Sequence, residues 1–316
     1  NCVIAKPSEI TPMSANLLAQ TALEIGFPSG VLNIVQGLGV KVGAALVAHH
    51  EIKAISFTGS TSVGRQIAAE CARTFKKTTL EMGGKNPTIV FADAPQATLM
   101  PTVIRSSFQN SGQICLCGSR LLVQRDIYES FKSELLACIG DMSIGDPNLD
   151  DTQLGPVMSK AHFDKIIAYI ALAKQEGGRV LCGGKALQMP GELSGGWFIA
   201  PTVIEGLPMS SRFCQEEVFG PVISLHVFDD EPEALAMAND SRYGLAASVW
   251  TSDIARAQRM AEKLETGIVW INTWLKRDLR TPFGGVKQSG YGREGGLDAI
   301  KFFTEAKTVC LGNPHV

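Results

Sequence analysis

Short runs rich in Val and Ile alternate with amphipathic stretches along this chain, the pattern of an α/β protein. Thr11-Pro12 predicts a helix start: Thr suits the N-cap and Pro the first helical position, whose N–H has no intrahelical partner in any case. Gly26 and Pro28 predict its end. Residues 31–35 read as a strand, Gly37, Gly39 and Gly43 as a turn, and a helix is expected to run through Ala48. Residues 53–57 predict a second strand, 61–73 a helix and 78–82 a third strand. Strands with intervening helices at this spacing predict half of a doubly wound parallel sheet. The opening Asn1-Cys2-Val3-Ile4-Ala5-Lys6 is neither a signal peptide nor an initiator and reads as the interior of a strand, so a longer parent protein is expected.

A second region runs from about Gly84 to Gln288. It is expected to open with a strand at 88–91 and a helix to about Gln109. Phe163, Ile166, Ile167 and Ile170 fall at i, i+3, i+4 and i+7, the apolar stripe of a helix. Further strands are predicted at 121–124, 222–228, 246–250 and 267–272, and a surface loop at 187–196.

Composition narrows the function classes. At 316 residues the chain has room for two domains, and 45% apolar with 19% charged residues are globular values. Lys plus Arg (29) nearly balance Asp plus Glu (31), without a basic cluster, which argues against nucleic acid or an anionic membrane as partner. Apolar runs stay far short of the ~20 residues of a spanning helix. Eight cysteines in a chain of this size are not needed as staples, so a reducing, cytoplasmic setting is expected. His49, His50, His162, His226 and His315 form no metal-ligand cluster, and no metal is expected.

Four stretches could carry chemistry. The turn Phe57-Thr58-Gly59-Ser60-Thr61-Ser62-Val63-Gly64 joins a strand to a helix N-terminus, where free N–H groups can hold a phosphate; an ordinary capping turn fits these residues as well. Lys6-Pro7-Ser8-Glu9 follows an inferred strand, where open α/β sheets place ligands: Glu9 could accept ribose hydroxyls with Lys6 in support, and a solvated loop is the plainer reading. Glu81 ends an apolar strand before Met82-Gly83-Gly84, either exposed at the tip or partly buried with a raised pKa that suits a general base. Cys115 follows a polar, glycine-bearing approach, Gln109-Asn110-Ser111-Gly112-Gln113-Ile114, although most cysteines are small buried hydrophobes.

In conjunction these stretches resemble one family. Leu80-Glu81-Met82-Gly83-Gly84-Lys85-Asn86-Pro87 is similar to the glutamate signature of the aldehyde dehydrogenases, and the segment from Phe108 through Cys115 to Ser119 to their cysteine signature. Lys6-Pro7-Ser8-Glu9, the Gly59–Gly64 turn, Glu216-Glu217-Val218-Phe219-Gly220-Pro221 and Pro282-Phe283-Gly284-Gly285 follow in the family's order. The resemblance implies an aldehyde dehydrogenase-like α/β fold. Residues 1–83 would be the C-terminal part of a Rossmann-type NAD-binding domain, 84–288 the catalytic domain, and 289–316 a return helix and oligomerisation strand. It implies Cys115 as nucleophile and Glu81 as the base that activates the deacylating water. Lys6, Ser8, Glu9, Gly39, Gly59, Ser60 and Val63 would meet the adenosine and pyrophosphate end of NAD, and Glu217 and Phe219 the nicotinamide end. A carboxylate at Glu9 should repel a 2′-phosphate, favouring NAD over NADP, with Lys6 able to compensate. The family's oxyanion Asn and first cofactor-domain strand belong upstream of Asn1. The 316-residue chain alone is therefore expected to be insoluble or nearly inactive.

The run Arg277-Asp278-Leu279-Arg280-Thr281-Pro282-Phe283, with Ile114-Cys115-Leu116-Cys117, resembles the 2-aminomuconate and 2-hydroxymuconate semialdehyde dehydrogenases. It implies an aldehyde bearing a carboxylate, gripped by Arg277, or less favourably by Arg280, beside Phe283. A betaine or aliphatic aldehyde enzyme and an inactive fragment are the alternatives. A cofactor-free cysteine hydrolase would need a His base, and no His stands in a recognisable pairing. Cys117 is expected to be a packed thiol rather than a redox partner of the site. The apolar alternation of residues 302–311 reads as a terminal strand that, in this family, joins a neighbouring subunit, implying a dimer or tetramer.

Overall fold

The computed structural model describes residues 1–312. Its first part holds β1 (Val3–Ala5), α1 (Met13–Glu24), β2 (Leu32–Ile34), α2 (Ala44–Ala48), β3 (Ala54–Thr58), α3 (Thr61–Ala72) and β4 (Lys77–Glu81). Each expected element is present within a few residues. Pro12 rather than Thr11 occupies the cap of α1, with no side-chain cap bond. The strands β1 and β2 pair in parallel, as do β3 and β4. The two pairs are not hydrogen-bonded to each other, and among the described residues no strand bridges them.

The second part is one continuous sheet. β5 (Asn86–Val90) and β6 (Gly118–Gln124) lie at its centre, flanked on one side by Ala246–Trp250 and Ile268–Ile271. On the other side come Val222–Phe228, Thr202–Glu205 and β7 (Arg179–Cys182). All neighbours are parallel except β7 against Thr202–Glu205. Alternating residues feed opposite faces. Val90, Leu121 and Val123 pack with α4 (Gln96–Phe108) and α5 (Arg125–Gly140). Ile89, Leu122 and Val249 face the helices Glu231–Asn239 and Ile254–Lys263. Helix α6 (Lys160–Gln175) buries Ile166 and Ile170, with Phe163 and Ile167 half-buried beside them, the stripe expected from its spacing.

The expected return helix is present, and the expected oligomerisation strand has no neighbouring subunit here to pair with. Residues 296–302 form a short helix, and the described residues beyond it form no strand. Val309 is 72% and Leu311 93% exposed. A strand needs a ladder neighbour for its N–H and C=O groups, and within one chain this segment meets none. Residues 313–316 of the expected terminal segment lie outside the described residues.

Candidate active site

Past the end of α4 the backbone turns left-handed, with φ of 53° at Asn110, 55° at Ser111 and 70° at Gly112. Such values cost a residue with a side chain on the order of 1–3 kcal/mol, a strain typical of functional turns. Glycine is required at 112, because a Cβ there would lie 2.1 Å from the carbonyl oxygen of Gly220. The turn delivers the half-buried Cys115 to a cavity of about 20 Å³, room for one water, shared with Gly84, Glu217 and Phe219. Asn86, at the start of β5, holds the loop. Its Nδ2 donates to the carbonyls of Cys115 (2.7 Å) and Cys117 (2.9 Å), while its Oδ1 accepts from the N–H of Ala246 at 3.1 Å. The sequence reading passed over Asn86; the available signal was an amide opening an otherwise apolar strand.

Glu81 closes β4 with only 5% of its surface exposed, and its Oε1 has no hydrogen-bond partner. Burial, and then the neighbouring Glu294 charge, push this carboxyl up to about 7, with Arg293 and Arg277 opposing. Of the two placements open to Glu81 in the sequence, the fold selects the buried one. Burial also pushes the Cys115 thiol up to about 11, reinforced by Glu217 and Glu81 and opposed by a backbone hydrogen bond and Arg277. Near neutral pH the thiol is therefore protonated, whereas Glu81 sits where it can take or give a proton. The two groups act on each other electrostatically, and both feel Arg277.

Glu217 extends the same wall. Its carboxylate accepts the Gly84 N–H at 3.1 Å, and a Cβ on Gly83 would lie 2.2 Å from its Oε2. Lys165 Nζ donates to the Glu217 carbonyl at 3.1 Å. Phe219, at φ 63°, is steadied by buried His162, whose Nε2 lies 2.5 Å from its carbonyl oxygen. At the ends of β1 and β2, Lys6 Nζ donates to the carbonyls of Pro7 (2.5 Å) and Gly37 (2.9 Å) and pairs with Glu9 at 3.5 Å. A backbone hydrogen bond, aided by Lys6, holds Glu9 below the usual carboxylate range. Ser8 Oγ accepts the N–H of Ile10 at 3.3 Å, and Gly39 opens the turn Gly39–Gly43 with clear space where a Cβ would stand. Ser60 caps α3, its Oγ accepting the N–H of the exposed Val63 at 3.4 Å. The Gly59 N–H bonds the Glu81 carbonyl at 3.0 Å, tying this turn to the strand that carries Glu81.

Lys6–Glu9, Gly39 and the Gly59–Ser60 turn follow the carboxyl ends of parallel strands, where α/β sheets place ligands. A helix N-terminus, a Gly59 surface that a Cβ would fill against Phe57, and the Glu217 carboxylate fit the phosphate and ribose groups of a dinucleotide.

On the other side of Cys115, the Arg277 guanidinium lies over the Phe283 ring, 4.0 Å from its centroid. Arg280 is instead bound to Asp278, with Nε 2.9 Å and Nη2 2.5 Å from its carboxylate oxygens. Among the described residues no carboxylate comes within salt-bridge distance of Arg277. Cys117 is a packed, 7% exposed thiol that burial pushes up to about 12. One cysteine–histidine pair does form: Cys214 Sγ lies 3.6 Å from His226 Nε2. Both are buried, and burial drives the imidazole down to about 4, so neither group is offered to a substrate. All eight cysteines are free, and no cluster of three metal-ligating side chains occurs among the described residues. No helix there is long and apolar enough to cross a membrane.

Comparison with known proteins gives concordant matches. Residues 1–309 match the model of the aldehyde dehydrogenase family. The chain is 48% identical over 313 residues to 2-aminomuconic semialdehyde dehydrogenase of Danio rerio, covering 98% of this chain and 64% of that protein. It is 43% identical over 312 residues to 2-hydroxymuconic semialdehyde dehydrogenase of Pseudomonas putida, with the same coverage. Among solved structures, the HpcC protein of Thermus thermophilus superposes with a TM-score of 0.96 at 41% identity, over 100% of this chain and 62% of that one. Betaine aldehyde dehydrogenase of Staphylococcus aureus, solved with NAD+, gives 0.92 at 40% identity over 95% and 59%. The chain thus spans a little under two thirds of the length of these relatives.

Proposed function

The chain belongs to the aldehyde dehydrogenase family, and we propose that it carries the catalytic centre of an NAD-dependent enzyme that oxidises a carboxylate-bearing semialdehyde to the acid. What carries the reading is that a thiol at the mouth of a cavity, a carboxyl poised near 7 and an arginine for which the described residues offer no acidic partner lie close enough to share one electrostatic neighbourhood: Cys115 feels Glu81, and both feel Arg277.

Glu81, in its charged form, draws the proton from the Cys115 thiol, and the thiolate attacks the aldehyde carbon. When bound, the dinucleotide supplies the hydride acceptor that this oxidation needs. Lys6, Ser8, Glu9, Gly39, Gly59, Ser60 and Val63 hold its adenosine and pyrophosphate end. Glu217 and Phe219 hold the nicotinamide riboside. Glu81 releases the thiol proton to solvent and, charged again, takes a proton from the water that attacks the acyl carbon, so that the C–S bond breaks and the acid leaves Cys115. The Arg277 guanidinium, 4.0 Å from the Phe283 ring centroid, grips the carboxylate, a partner its planar fork of donors suits. Names of relatives agree: two of them are 2-aminomuconic and 2-hydroxymuconic semialdehyde dehydrogenases. The reading extends to a cytoplasmic homo-oligomer in which the exposed residues 303–312 pair with a neighbour's sheet.

The test is absorbance at 340 nm on adding NAD and aldehyde to the full-length protein that contains this chain. Arg277→Ala should raise KM for carboxylated semialdehydes about tenfold or more, the worth of a charge-assisted hydrogen bond, and leave benzaldehyde nearly unchanged. Equal effects on both aldehydes overturn the substrate assignment, and absence of any NAD-linked signal overturns the reaction.

A further inference from the structure

Resting on the semialdehyde reading, we propose that Trp270, Trp274 and Arg105 are positioning residues. They form a brace that fixes the separation of the Cys115 thiol and the Arg277 guanidinium, and so select substrates by the length between aldehyde and carboxylate.

Two indole N–H groups span the gap. Trp274 Nε1 donates to the carbonyl of Leu116, adjacent to Cys115, at 2.9 Å. Trp270 Nε1 donates to the carbonyl of Lys276, adjacent to Arg277, at 3.0 Å. Both rings are buried, 7% exposed at Trp270 and 2% at Trp274, in one cluster with Leu116, against which Cys115 and Phe283 pack. Arg105, on α4, closes the brace from outside. Its Nη2 donates to the Trp274 carbonyl at 3.0 Å, and its guanidinium lies 5.5 Å from the centroid of the Trp274 ring.

The loop so held is not a relaxed one. Asn272 (φ 53°) and Leu275 (φ 59°) are both left-handed, an uncommon state for residues with a side chain. Asn272 is locked by its side chain, whose Oδ1 accepts from the Thr251 N–H at 3.0 Å and whose Nδ2 donates to the Thr251 carbonyl at 2.8 Å. A buried indole has one donor to spend, and here each is spent on a carbonyl next to a functional residue. The result is a rigid span between the group that reacts and the group that anchors. A substrate whose carboxylate sits one methylene too near or too far must give up one contact to make the other.

The experiment uses the full-length protein that contains this chain, with NAD and four aldehydes: succinic, glutaric and adipic semialdehydes, and hexanal. The native protein should favour one semialdehyde by about tenfold or more over its neighbours in length, the usual worth of a methylene. Trp270→Phe and Trp274→Phe keep the ring and lose the donor. Each should flatten that preference to within about threefold through KM, with kcat on hexanal within about twofold, the signature of lost positioning rather than lost chemistry. Arg105→Met, at an exposed position, should act in the same direction and serves if an indole variant does not fold. A length profile unchanged in these variants, or a uniform fall on all four aldehydes, overturns the brace. Arg277→Ala in the same series separates the two ideas. If it leaves the carboxylate preference intact, the substrate reading fails; if it abolishes the preference while the tryptophan variants keep the profile, the brace alone fails.

Discussion

The two halves of this molecule are built to different standards. No residue before Gly64 is buried, and α1 leaves Leu17, Leu18 and Leu23 more than half exposed. From β5 onward every residue of the central strand is buried, and large side chains such as Phe91, Phe108 and Trp250 have almost no contact with water. Cys115 and its Asn86 brace belong wholly to the packed half, as do Glu217 and Phe219. Glu81 stands at the seam, on a strand whose neighbours are β3 and residues Gly290–Tyr291. The contacts proposed for the dinucleotide are thus divided between an exposed wall and a buried one. Within this chain the candidate nucleophile sits on the buried side, and the loops proposed to grip the cofactor's adenosine end on the exposed one.

Several substitutions would break or sharpen this contrast. The largest effect is expected at Cys115→Ala, which should lower NAD-linked turnover on the order of 10⁴-fold or more, as loss of a nucleophile does, with NAD binding retained in a titration. Turnover that survives would move the chemistry off the buried wall. Glu81→Gln should cost about 10²–10⁴-fold. In the native protein kcat/KM should rise as pH passes about 7, where the buried carboxyl becomes a base, and the variant should lack this limb. The same shift has a stability sign. A carboxyl raised from 4.5 to about 7 by folding binds more protons folded than unfolded, so stability falls as pH climbs between those values. The Tm of Glu81→Gln should therefore gain on the native protein across that window.

Smaller effects separate the cores. Leu121→Ala, at a site with no exposure, should cost about 2–5 kcal/mol in urea unfolding, the range for a buried truncation. Leu17→Ala on α1, 62% exposed, should stay within about 0.5 kcal/mol. Comparable costs at the two positions would mean that the N-terminal half has a core of its own.

Legibility in the sequence followed the same divide. The stripe Phe163, Ile166, Ile167 and Ile170 and the strands at 222–228 and 246–250 could be read because period and burial coincide there. Glu81 and Cys115 could be singled out as ordered signatures, and Arg277 as a cation where the chain approaches the pocket. The segment 302–311 reads as a strand by alternation, and within one chain it finds no ladder partner, because alternation encodes a face and not a neighbour. Trp270 and Trp274 carried no local signal, and Asn86 only a faint one: each owes its role to a carbonyl outside its own element, 158 residues away for Trp274.

By itself, then, the order of residues determined the elements, their α/β alternation and which side chains had the chemistry to react, since propensity, period and functional groups are local properties. Only the tertiary structure decided that Glu81 is buried rather than exposed, that Arg280 is spent on Asp278 while Arg277 is not, and that two indoles tie nucleophile to anchor. Those outcomes depend on desolvation and on distances between segments, which arise only when segments far apart in the chain pack together.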